Sequence, residues 1–172
     1  CHGPGELHVH EKLKGILVDT KKDTDFTIVN PKKLSFDLQV SLCQRCHLQG
    51  NAVLKPGKSF FDFRPGMALS DVMSVFLPRY ENDPSFIMAS HADRMTQSKC
   101  FTKSGKLTCI TCHNPHVSVK VTGKQAFNDA CNSCHTTSNK HLCTKAGITA
   151  QSNCVSCDMP RSGTKDIPHV TV

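Results

Sequence analysis

The chain has 172 residues, with 21 Lys and Arg against 14 Asp and Glu for a formal charge of +7, a size that fits one ordinary domain or two small ones. Apolar residues make up 38%, but 11 of them are cysteine; setting these aside leaves about 31%, thin for a conventional core, so something other than side chains is expected to fill the interior. No apolar run approaches the roughly 20 residues that span a bilayer, the longest candidate being the interrupted stretch 67–77, so a transmembrane segment is excluded.

Along the chain, Gly3-Pro4-Gly5 reads as a turn that leads into His8 and His10. Asp25–Asn30 alternates as a short strand would. A helix is expected over Phe36–His47, followed by loop over Gly50–Pro65 and a soft seam at Lys55–Gly66. A second helix is expected over Met67–Leu77, with Leu69, Val72, Met73 and Phe76 as its apolar stripe. A third is expected over Pro84–Ser98, where Asp83 can cap and Pro84 can take the first helical position. Its residues Ile87, His91, Arg94 and Met95 share one face. Val117–Thr122 reads as a short strand, Gln125–His135 and Thr149–Cys157 as short helices, and His169 follows Pro168 in an extended segment. The expected fold class is mainly α with much irregular loop, minor short strands and little conventional core. One unit over 1–172 is expected, both ends continuing into a longer chain.

The cysteines fall into a pattern. Eight of them form four C-x-x-C pairs, and a histidine directly follows three: Cys43-Gln-Arg-Cys46-His47, Cys109-Ile-Thr-Cys112-His113 and Cys131-Asn-Ser-Cys134-His135. The fourth pair reads Cys154-Val-Ser-Cys157-Asp158, and the opening Cys1-His2 has the form of a motif that has lost its first cysteine. Zinc is the serious rival, because Cys109, Cys112, Cys131 and Cys134 have the spacing of a four-cysteine site. Zinc has no use for a histidine after each second cysteine, however, and three such placements arise by chance roughly once in a thousand. A thioredoxin-like redox pair needs one motif at a helix start in a βαβ setting, which is missing here. Covalent c-type haem attachment needs this arrangement: two thiols add to the vinyl groups of one porphyrin edge, and the next residue turns an imidazole under the iron.

Second axial ligands have to come from elsewhere in the chain. Of 10 histidines, those outside the motifs are His8, His10, His91, His116, His141 and His169, enough for five irons if His8 and His10 share one role. His116 lies too close to His113 to reach over the same porphyrin, so it would serve a neighbouring iron and set two haems side by side. With five haems the chain spends about 34 residues on each, which leaves the porphyrins themselves as core.

Cys-His-Gly-Pro-Gly at 1–5, Cys-Gln-Arg-Cys-His-Leu-Gln-Gly at 43–50, Asp-Phe-Arg-Pro-Gly at 62–66, Cys-Ile-Thr-Cys-His-Asn-Pro-His at 109–116 and Asp-Ile-Pro-His at 166–169 resemble bacterial multihaem c-type cytochromes with paired C-x-x-C-H domains. The resemblance covers nearly the whole chain. It implies an exported, periplasmic, cell-surface or extracellular protein with closely stacked haems that passes electrons to redox partner proteins or neighbouring cytochrome subunits. It also implies that His2, His47, His113 and His135 are proximal ligands and that His116 and His169 are distal ones. Relatives include haem enzymes of the nitrogen cycle and subunits of extracellular cytochrome filaments, so an open haem at Cys154 and Cys157 and a homo-oligomeric filament are the alternatives to a plain electron carrier.

Asp158 departs from the pattern. It leaves an iron with an open or carboxylate-bound position, or hands ligation to a side chain such as Met159, or stands for a misread histidine. About five haems c are therefore expected, four with a recognisable proximal histidine. Cys100 and Cys143 remain, as a disulfide or as two buried thiols. Cys1 has a further alternative as the acylated first residue of a lipoprotein. The lysine pairs at 21–22 and 32–33 are read as solvated faces rather than a nucleic-acid surface. Five haems would bring about ten propionate charges against roughly five ferric ones, moving +7 to about +2. The expected function is electron transfer through mostly bis-histidine irons, whose filled axial positions argue against catalysis.

Overall fold

The computed structural model describes residues 1–78, 87–135, 152–159, 162–164 and 170–171. The chain divides into two compact units, Cys1–Arg79 with Ala89–Ser98, and Tyr80–Met88 with Lys99–Val172. The fold is mainly α with few short strands and much irregular loop.

In the first unit, helix α1 spans Glu6–Leu13 and buries none of its residues. Helix α2 spans Phe36–His47, the bounds expected from sequence. Ser35 enters it in extended conformation, Asp37 lies in the first turn and Arg45 and His47 in the last, a charge order that suits the helix dipole. Strand β1, Asn51–Leu54, then pairs antiparallel with β2, Met73–Phe76, in the register Asn51↔Phe76 to Leu54↔Met73. Lys55 N–H donates to Val72 O at 2.9 Å and extends the ladder. Residues 55–66, where the composition suggests a seam, lie within this unit, between the paired strands.

This hairpin corrects two expectations. Gly50–Pro65 is not all loop, and Met67–Leu77 is not a helix: Leu69–Asp71 makes one 3-10 turn before the chain extends into β2. The β-branched Val72 and Val75 and the aromatic Phe76 favour extended backbone, and β1 across the ladder pairs with it, Ala52 opposite Val75 and Asn51 opposite Phe76. Leu69, Val72 and Met73 are buried as the proposed stripe requires, but Phe76 is exposed. With Phe63 they form the core, and Leu42, Leu54, Met67 and Val75 pack around it. Gly50 is required where the chain leaves α2, since a Cβ there would meet Phe76 O at 2.6 Å.

The helix expected over Pro84–Ser98 is shorter. Helix α3 begins at His91 and ends at Gln97, because Ala89 has φ +57° and breaks any helix arriving from Ile87. Asp83 and Pro84, its expected cap and first residue, lie outside the described residues. The strand expected at Asp25–Asn30 is a turn instead: the Asp25 carboxylate accepts the Thr27 N–H at 3.0 Å and the Thr27 hydroxyl, a local bond that competes with strand pairing.

In the second unit, α4 spans Lys99–Ser104, α5 Cys109–Cys112, α6 Lys124–Asn132 and α7 Val155–Asp158. Strands β3, Ser162–Gly163, and β4, Val170–Thr171, pair antiparallel. The α6 helix matches the expectation over Gln125–His135 except that it ends at Asn132 and turns carry the chain to His135. Of the helix expected over Thr149–Cys157, residues 149–151 lie outside the described residues, 152–154 are not helical, and only α7 from Val155 onward matches. Val117–Thr122 is not a strand but consecutive turns, with Val117 N–H on Asn114 O at 3.1 Å and Val121 N–H on Ser118 O at 3.0 Å.

Candidate haem sites

Each cysteine pair lies on or beside a helix, which is how two thiols three residues apart reach the same side of the chain. Cys43 and Cys46 occupy the last turns of α2 and His47 ends it. The neighbouring Leu42 packs against the core. Beyond α2, Gln49 N–H donates to Ala89 O at 3.4 Å, holding the turn before α3 against the end of the motif. As a result the imidazoles of His47 and His91 meet with ring centroids 5.7 Å apart and an interplanar angle of 79°.

The Cys109–Cys112 pair is itself a helical turn, fixed by a capping box. The Thr108 side chain takes the backbone N–H of Thr111, and Thr111 Oγ1 accepts the N–H of Thr108 at 3.1 Å. This Thr-x-x-Thr pattern is a weak sequence signal, because Glu or Gln is the usual partner. His113 leaves the turn in extended conformation, and its ring meets Phe127 of α6 edge to face at 5.4 Å. Cys131 lies in α6, with Cys134 and His135 in the turns after it. The α7 turn with its pair Cys154 and Cys157 is fixed to α6 by the Cys154 N–H, which donates at 3.1 Å to the side-chain oxygen of the buried Asn128. Thus α5, α6 and α7 bring three cysteine pairs together within one unit. Burial pushes the thiols of Cys112 and Cys131 up, and neighbouring thiols, Cys100 among them, add to the effect. Among the described residues no three His, Cys, Asp or Glu side chains converge as ligands of one ion.

The first histidines are aimed by hydrogen bonds. His2 Nδ1 lies 2.8 Å from Val29 O, and His8 Nδ1 lies 2.8 Å from Thr27 Oγ1 and 3.4 Å from Asp25 Oδ2. One turn, residues 25–29, therefore engages the Nδ1 atoms of both rings, as second contacts do that orient metal-binding histidines. Lys12 Nζ, at 2.8 Å, and the Thr27 donors hold the Asp25 carboxyl well below the usual carboxylate range. His10 is exposed, and no hydrogen bond, ion pair or ring contact fixes its imidazole. His116 sits in an exposed turn where its N–H donates to Asn114 Oδ1 at 3.0 Å. His141, His169 and Cys143 lie outside the described residues.

The donor set fits haem c: paired thiols on helical turns, an imidazole directly after three of them, and further imidazoles oriented through Nδ1. Residues 102–140 match the family described as a doubled CXXCH motif, a segment that contains both Cys109–His113 and Cys131–His135. The match indicates covalent haem c binding at these two motifs. No curated protein and no solved structure matches the chain.

Proposed function

We propose that the chain is an electron carrier that holds about five haems c and passes electrons from one to the next. The thiols of Cys43 and Cys46, Cys109 and Cys112, Cys131 and Cys134, and Cys154 and Cys157 hold four of them, and Cys1 contributes to a fifth. His2, His47, His113 and His135 are the proximal ligands. Bound haem supplies a one-electron couple; everything else falls to the polypeptide, which sets distance, ligand field and exposure.

The observation that carries the reading is the pairing of His47 with His91. An imidazole nitrogen sits about 2 Å from a first-row metal, so two rings that share one iron have centroids roughly 6 Å apart. The rings stand at 5.7 Å, a separation that suits a shared iron as it suits edge-to-face ring packing, and this supports His91 as the distal ligand of the haem at Cys43 and Cys46. His8, oriented by Thr27 and Asp25, fills a second distal position, leaving His10 in solvent. His116, His141 and His169 are the remaining distal candidates. Two imidazoles at an iron fill both axial positions and favour transfer over catalysis. The protein is exported, as c-type cytochromes generally are, and its partners are redox proteins or neighbouring cytochrome subunits rather than nucleic acid.

Replacing His91 by Ala tests this. Thioether bonds keep the haem attached, so the expected result is an unchanged haem content with one iron converted from low spin to a high-spin, carbon-monoxide-binding form. An unaltered low-spin spectrum removes His91 from the ligand set.

A further inference from the structure

The motif at Cys154–Asp158 has the backbone of its histidine-bearing neighbours. Asp158 N–H donates to Cys154 O at 2.9 Å, as His113 donates to Cys109 O at 2.9 Å and His135 to Cys131 O at 2.9 Å. Cys157 N–H reaches Cys154 O at 3.1 Å, as Cys134 reaches Cys131 O at 3.1 Å. Asp158 thus occupies the place of the proximal imidazole, at the end of the same turn and directly after the second thiol. The turn is not a loose terminus, since the buried Asn128 side chain anchors Cys154 to α6. Asp158 is exposed.

A carboxylate is a hard oxygen donor, suited to ions such as Mg²⁺ and Ca²⁺, and is a weak substitute for imidazole at ferrous haem iron. From this we infer that the haem at Cys154 and Cys157 receives no strong ligand from its own motif and that its iron takes a small exogenous molecule. The negative charge of Asp158 at the same pole disfavours anions. The ligand class is therefore a neutral diatomic of the carbon monoxide or nitric oxide type, bound at ferrous iron. This inference rests on the reading of Cys154 and Cys157 as an attachment site, and gives the chain one ligand-binding haem beside its conducting ones.

Titration of the dithionite-reduced holoprotein with carbon monoxide tests it, together with peptide mass spectrometry over residues 152–159. The expected results are haem on both cysteines and uptake of one carbon monoxide per chain. Asp158→His should abolish that uptake and turn one high-spin iron low spin, whereas Asp158→Asn, which brings no imidazole, should keep it. Absence of uptake by the wild type overturns the inference, as does equal uptake by Asp158→His. If the 152–159 peptide is haem-free while the Cys109–His113 and Cys131–His135 peptides carry haem, this inference fails and the electron-carrier reading stands; if no peptide carries haem, both fail.

Discussion

An imidazole is a dependable axial ligand only when its other nitrogen is held. His8 meets that condition, with Thr27 and Asp25 at its Nδ1, and His10, two residues on, does not. The sequence offered the two as equivalents, since spacing alone cannot say which ring a turn 19 residues away will reach. The difference is testable in one pair of variants. His8→Ala should convert one iron to high spin, and His10→Ala should leave the absorption and electron paramagnetic resonance spectra as they are; the reverse outcome exchanges their roles. Asp25 acts on His8 as a charge behind the ring and is held ionised by Lys12. Because its folded pKa is depressed, its stabilising contribution is full above the ordinary carboxylate pKa and is lost only as the pH falls toward the depressed one. Asp25→Asn removes that charge and should raise the reduction potential of the haem His8 serves, by making the imidazole a poorer donor. An unchanged set of potentials excludes this role.

At the scale of elements, the cysteine motifs were legible because their chemistry fixes both residue type and spacing, and α2 and α6 were legible because each leads into one. The hairpin was not. Leu69, Val72, Met73 and Phe76 fit a helical stripe, and only the partner strand at Asn51–Leu54, a contact distant in sequence, decides for extended backbone. Nor was the place of α3, since the left-handed Ala89 that starts it at His91 is a residue type with no preference for that conformation. Asn128 gives the clearest test of an element's placement. Its side chain is the acceptor for Cys154 N–H, and Asn128→Ala leaves that donor without its partner at a cost of about 1–3 kcal/mol. The expected result is earlier thermal unfolding together with faster proteolysis around α7. Wild-type protease resistance there argues against the anchor.

For the whole molecule, the decisive feature is how little the side chains bury. Among the described residues the buried apolar ones are Val40, Phe63, Leu69, Val72, Met73 and Ala92, while Leu13 at 84%, Phe26 at 88% and Phe61 at 84% keep most of their surface exposed. A chain of this size ordinarily buries far more of its apolar surface, and exposed apolar groups in such number mark surfaces made to be covered. Porphyrins are the natural cover, since every described cysteine pair sits at a helical turn with such residues elsewhere in its unit. No helix among the described residues is long and apolar enough to cross a membrane. The most direct measurement is a pyridine haemochrome assay per mole of purified chain, combined with intact mass and metal content. About five haems, an equal amount of iron and no zinc are expected. A colourless protein, or zinc in place of iron at the paired cysteines, contradicts the central claim.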